Sequence, residues 1–226
     1  MALFEELDVW IDGSERSGPA HMAVDELLHT HGWERPLLRF YQWSGEEVSL
    51  GYFERLSDAQ AAFPGEALRY VRRWTGGGVV DHRCDVTYTI CIPKGHVVEQ
   101  MRGDGSYAAI HAVLAEALLE LGVACALTDG SLETRERACF GNPVRQDIVD
   151  AGGRKLAGAG QKRSRYGILH QGSVQGVKDV AGWRQLFAAA LADRVHKKDI
   201  AIEKMGDVSK LVAERYGAAA WTEKRP

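Results

Sequence analysis

The chain has 226 residues and is 45% hydrophobic, which suits one large domain with a real core. Its formal net charge of −3 gives no global pull toward nucleic acid or a membrane surface. No apolar run of about 18 residues is present to span a bilayer, and the opening Met-Ala-Leu-Phe-Glu-Glu-Leu-Asp has neither the basic nor the apolar region of a signal peptide. The four cysteines, Cys84, Cys91, Cys125 and Cys139, form no C-x-x-C pair. No metal site or disulfide framework is expected, and a reducing cytoplasm is the default.

In chain order, residues 18–29 place Met22, Leu27 and their apolar neighbours on an amphipathic helix. The runs 37–43 and 47–53 read as strands, and Tyr70-Val71 opens another. That strand leads into Arg72-Arg-Trp-Thr-Gly-Gly-Gly78, followed by the strand-forming run 86–92. Bare glycine backbone at Gly76, Gly77 and Gly78 allows a ligand to lie against N–H groups, and arginine suits forked contacts with phosphate or carbonyl oxygens. Alternation along the strand lets only one of Arg72 and Arg73 face a pocket. The pattern is neither a Walker loop nor a dinucleotide fingerprint. A glycine-rich hairpin turn is its plain alternative.

Residues 107–121 repeat apolar side chains every 3.6 positions and stop at Gly122. A short strand over 123–127 and a charged loop over 129–138 follow. After Ile148-Val149 and the turn Asp-Ala-Gly-Gly comes a second basic, glycine-rich segment, Gly153-Arg-Lys-Leu-Ala-Gly-Ala-Gly-Gln-Lys-Arg163. Simple alternation sets Lys155, Ala157 and Ala159 on one face, with room for a thin ligand beside the lysine. An exposed hairpin lysine is the competing reading. Residues 183–195 read as a helix and about 207–216 as a last short one. Strands grouped with peripheral helices argue for an α+β fold.

Together these segments resemble the biotin/lipoate protein ligase superfamily. The resemblance is carried by Arg72-Arg-x-Thr75-Gly-Gly, His82, Asp85-x-Thr-Tyr88, Gly153-Arg-Lys-x-Ala-Gly158 and Gln171-Gly172-Ser173, with Met22–Glu26, Arg39–Trp43, Ser49–Phe53 and Tyr216–Thr222 in the same order. It implies a central mixed, mainly antiparallel sheet flanked by helices, as a single catalytic domain over 1–226 without a C-terminal accessory domain. It also implies a substrate site at Arg72, Arg73, Thr75, Gly76, Gly77, Gly78, His82, Gly158 and Gly172, with no metal.

Within the superfamily, Ala138-Cys139-Phe-x-x-Pro143 lies 16 residues ahead of Lys155. That is similar to the lipoate-ligase-like octanoyltransferases, whose catalytic cysteine precedes the Gly-Arg-Lys strand. The resemblance then implies Cys139 and Lys155 as catalytic residues. An octanoyl or lipoyl group would pass through an acyl-cysteine to a lysine of lipoyl-domain proteins, the glycine cleavage H protein and E2 subunits, with acyl carrier protein as donor and no cofactor. A lysine ammonium beside a thiolate favours the reactive form and can meet developing charge on a carbonyl oxygen. The alternatives are an ATP- and Mg-dependent lipoate–protein ligase, supported by the triple glycine, and a non-catalytic module that binds lipoate. Cys139 as a buried inert thiol, and His82 as a pocket-shaping residue rather than a general base, also stay open. The order His170-Gln171 departs from the family's usual histidine next to Gly-Ser and turns His170 to the opposite strand face, so it is given no catalytic role.

Overall fold

The computed structural model describes residues 2–64, 67–131 and 142–225. Among them, eight strands form one sheet: β1 (Phe4–Ile11), β2 (Leu37–Tyr41), β6 (Asp85–Pro93), β7 (Cys125–Leu127), β8 (Ile148–Asp150), β9 (Lys155–Ser164), β10 (Gly167–Gln175) and β11 (Ala192–Lys197). Their order is β11-β1-β2-β6-β10-β9-β8-β7. β1 runs parallel to β11 and β2, and every other neighbouring pair is antiparallel. A smaller sheet joins β4 (Arg69–Arg72), β3 (Glu47–Leu50) and β5 (Val79–Asp81), with β3 in the middle. The mixed, mainly antiparallel α+β architecture expected from sequence is the one observed.

Strand alternation assigns the two faces of the large sheet. On β6, Val86, Tyr88, Ile90 and Ile92 enter the main core with helices α4 (Gly105–Glu120) and α5 (Val180–Leu191). The intervening Thr89 and Cys91 turn to helix α1 (Gly18–Thr30), where Thr89 meets Asp25 and Cys91 packs with Val24 and Leu28. Burial pushes the Cys91 thiol up, as befits a core cysteine. The polar face thus lies between the large sheet, α1 and the small sheet. Among the described residues no helix is long and apolar enough to cross a membrane.

Several elements differ from the sequence reading. The helix expected over 183–195 starts at Val180 and stops at Leu191, because the free edge of β1 captures Ala192–Lys197 as a parallel strand. The strand expected over 47–53 stops at Leu50, since Gly51 must lie against the Gly77 carbonyl. The short helix expected over about 207–216 has one ordinary turn, Val208–Leu211, then a wider turn in which Gly217 N–H reaches the Val212 carbonyl at 2.8 Å, and one more helical turn, Ala219–Thr222, follows it. The charged segment 132–138 lies outside the described residues.

Candidate active site

Lys155 opens β9, and an irregularity decides where it points. Ile148 pairs with Ala157 but Val149 pairs with Lys155, so Leu156 is an extra residue in the ladder. This bulge turns both Leu156 and Ala157 into the main core. Lys155 therefore shares a face with Gly158 rather than with Ala157, which corrects the simple alternation. A Cβ on Gly158 would lie 2.3 Å from Lys155 Cε, so the lysine stem fits only because that position is bare. The side chain is 3% exposed, and its Nζ is 2.6 Å from Asp147 Oδ2. It is not the solvated hairpin lysine of the plain reading.

The glycine loop closes over the same strand. Gly77 holds φ of +91°, a conformation natural to glycine. The Gly76 carbonyl packs so tightly on Gly160 that a Cβ there would lie 2.3 Å away. Of the two arginines, Arg73 faces the groove. Its guanidinium donates to the Ser49 carbonyl and hydroxyl at 3.0 and 2.7 Å, and to the Gly76 and Gly78 carbonyls at 3.1 and 2.9 Å. It clamps the loop to β3. Arg72 turns away, donating to the carbonyls of Gly51, Tyr52, Glu54, Trp221 and Thr222. The expectation of a substrate contact from Arg72 is corrected: the residue staples three chain segments.

Behind the loop stands a buried polar wall. Thr75 donates to Gln171 Oε1 at 2.7 Å, and Gln171 Nε2 donates to Asp25 at 2.7 Å. Asp25 receives Arg39 at 2.6 Å. Burial opposes the Arg39 charge, but Asp25 and Asp12 beside it hold it protonated. His82 Nδ1 lies 2.7 Å from Asp85, its Nε2 lies 2.6 Å from Ser49 Oγ, and Trp43 stacks on its ring at 3.8 Å. The order Ser-His-Asp is that of a hydrolase triad, yet Ser49 is wholly buried and its oxygen also takes the Arg73 N–H. This geometry favours His82 as a wall-forming residue over a general base.

Gly172 contributes backbone to the groove, but its bare side faces Tyr88, whose ring a Cβ would strike at 2.2 Å. The position is bare because the Tyr88 ring packs there, while its backbone lines the groove as the substrate-site reading expects. His170 points away from Gln171, toward Tyr88 and Gln161. Sequence reasoning missed Ser49, Trp43, Gln171 and Asp147 as site residues. The signal for Gln171 was its place two residues before Ser173 on a strand, on the face opposite His170.

Among Arg73, Gly77, Gly158, Gly160 and the Trp43–His82 stack, the groove retains only about 20 Å³, room for a single water. Cys139 lies outside the described residues.

Residues 17–216 match the model of the lipoyl protein ligase A/B catalytic domain. The chain belongs to that family. Among the proteins it is similar to is octanoyltransferase LipM of Symbiobacterium thermophilum, 35% identical over an alignment of 181 positions that covers 73% of this chain and 63% of the relative. Octanoyltransferase LipM of Moorella thermoacetica is 37% identical over an alignment of 164 positions that covers 68% of this chain and 59% of the relative. The chain thus spans about 60% of the length of these curated relatives. Protein Ta0514 from T. acidophilum, solved with bound lipoic acid, superposes with a TM-score of 0.73 over 99% of both chains at 18% identity, a likeness of fold.

Proposed function

We propose that this chain transfers an octanoyl (or lipoyl) group to one lysine of a lipoyl-domain protein through an acyl-cysteine at Cys139. The observation that carries the reading is the buried Lys155 ammonium, set beside bare backbone at the groove edge. The two octanoyltransferase relatives support the reaction class, and the cysteine's spacing from Lys155 supports the nucleophile.

The Cys139 thiolate attacks the carbonyl of a donor thioester, for which acyl carrier protein is the proposed source. The new carbon–sulfur bond forms as the donor's breaks, and the donor leaves as a thiolate that takes up a proton. Lys155 donates a hydrogen bond to the carbonyl oxygen as it gains negative charge. The acceptor lysine, as the free amine, then attacks the acyl-cysteine, forms the amide, loses a proton and returns the cysteine thiolate. H protein and E2 lipoyl domains are the proposed acceptors. One thioester replaces another, so the transfer needs no nucleotide.

Intact-mass spectrometry after mixing with octanoyl-acyl carrier protein tests this. One octanoyl adduct is expected on the wild type and none on Cys139→Ala. Full activity of that variant, with an ATP requirement, sinks the proposal. The triple glycine favours a second reading, the ATP- and Mg-dependent lipoate ligase, which would release pyrophosphate when lipoate is added.

A further inference from the structure

A lysine has a long, flexible stem, and only one of its many rotamers points an ammonium at a chosen carbonyl. Something must select that rotamer. Asp147 Oδ2 receives Lys155 Nζ at 2.6 Å, and the Asp147 side chain is completely buried. The carboxylate is itself held from two further directions. The Val144 N–H donates to Oδ2 at 2.8 Å, and the Tyr107 hydroxyl donates to Oδ1 at 2.5 Å. The Tyr107 oxygen in turn accepts the Ala159 N–H at 3.0 Å. A closed circuit results: from β9 through Lys155 to Asp147, on to Tyr107 at the start of α4, and back to β9. The backbone just before Asp147 is strained, with Gln146 at φ of +70°, and His111 Nδ1 lies 2.6 Å from the Gln146 carbonyl. Gly158 completes the seat by leaving the stem its space.

A buried ion pair is weak evidence for stability, because apolar side chains of similar volume often serve a fold as well. This pair sits at the groove edge, and its carboxylate is braced by strained backbone. We infer that Asp147, braced by Tyr107, is a positioning residue that holds the Lys155 ammonium against the open side of Gly158 and so governs the rate of acyl transfer without touching the acyl group. The inference rests on the proposed catalytic use of Lys155.

The test is a double-mutant cycle of Asp147→Asn and Lys155→Met, read as the rate of octanoyl transfer from octanoyl-acyl carrier protein. Asp147→Asn is expected to lower kcat on the order of a hundredfold, the usual effect of a small misplacement, while KM for the donor stays within about threefold. In the Lys155→Met background the same change is expected to cost nothing more. Equal losses in both backgrounds, or a folded Asp147→Asn variant at full rate, overturn the inference. If Asp147→Asn does not fold, Tyr107→Phe and Gly158→Ala carry the test. Each should slow kcat roughly tenfold with an unchanged circular dichroism spectrum, and wild-type rates in both overturn the inference. A wild type that forms no adduct but releases pyrophosphate from ATP and lipoate sinks the transferase reading alone, and the cycle is then read on that rate. No turnover in either assay sinks both.

Discussion

Arg72 and Arg73 are neighbours of the same type with opposite fates, and strand alternation is the cause. Arg72 is fully buried and donates to carbonyls of five residues. Replacing it by methionine removes a donor from all five. The Gly51 and Trp221 carbonyls keep the N–H groups of Glu54 and Lys224, but the Tyr52, Glu54 and Thr222 carbonyls lose the guanidinium, at a cost of about 3 kcal/mol or more. Arg73 instead ties the glycine loop to Ser49. Arg73→Met should cost less stability but loosen the loop, raising KM for the acyl donor while kcat changes less. Urea unfolding and steady-state kinetics on the two variants check the contrast. Equal stability losses, with KM unmoved in Arg73→Met, would contradict it.

At the scale of elements, the C-terminal segment acts as a strap on β4. The Trp221 and Thr222 carbonyls accept from Arg72, Trp221 Nε1 donates to the Arg72 carbonyl at 3.0 Å, and the Arg225 carbonyl accepts Leu56 N–H. Deleting residues 218–226 should speed amide exchange across β4. The loss should be non-additive with Arg72→Met, because both remove the Arg72 bonds to the Trp221 and Thr222 carbonyls. Exchange in β4 unchanged by the deletion would show the strap to be passive. Such long-range contacts explain what the sequence left illegible. Periodicity located α1, α4 and the β6 core because their burial patterns are local, and the glycine loop and the Lys155 strand were readable from residue type. The capture of Ala192–Lys197 by β1 was not, since nothing within that segment specifies a partner at the other end of the chain. The bulge at Leu156 was hidden for a similar reason: an extra residue is visible only against the strand it pairs with, and it reversed the expected face of Lys155. Asp147 gave no signal at all, because its partner lies eight residues away across a turn.

Across the whole molecule, burial has gathered neutral histidines, and they make the fold acid-sensitive. Desolvation, with the Arg39 charge adding to it, pushes His21 down to about 3. Desolvation lowers His29 to about 4, with the Lys162 charge adding to it; it lowers His111 to about 4 against the opposing pull of Asp147 and the Gln146 carbonyl; and it drives His170 well below its usual value. In the unfolded chain each of these returns to about 6.5. Between that value and about 4 the unfolded state therefore binds more protons than the folded one, so stability rises with pH through this window. It is fully present above pH 7 and is lost on acidification, as unfolded histidines take up protons that the folded ones refuse. Several such groups acting together remove an amount comparable to the whole stability of a typical domain by pH 4.5. Urea midpoints measured at pH 7.5, 6, 5 and 4.5 should fall steadily, and His111→Asn should flatten the slope over the same range. A midpoint independent of pH from 7.5 to 4.5 would mean that these side chains are not held neutral by burial.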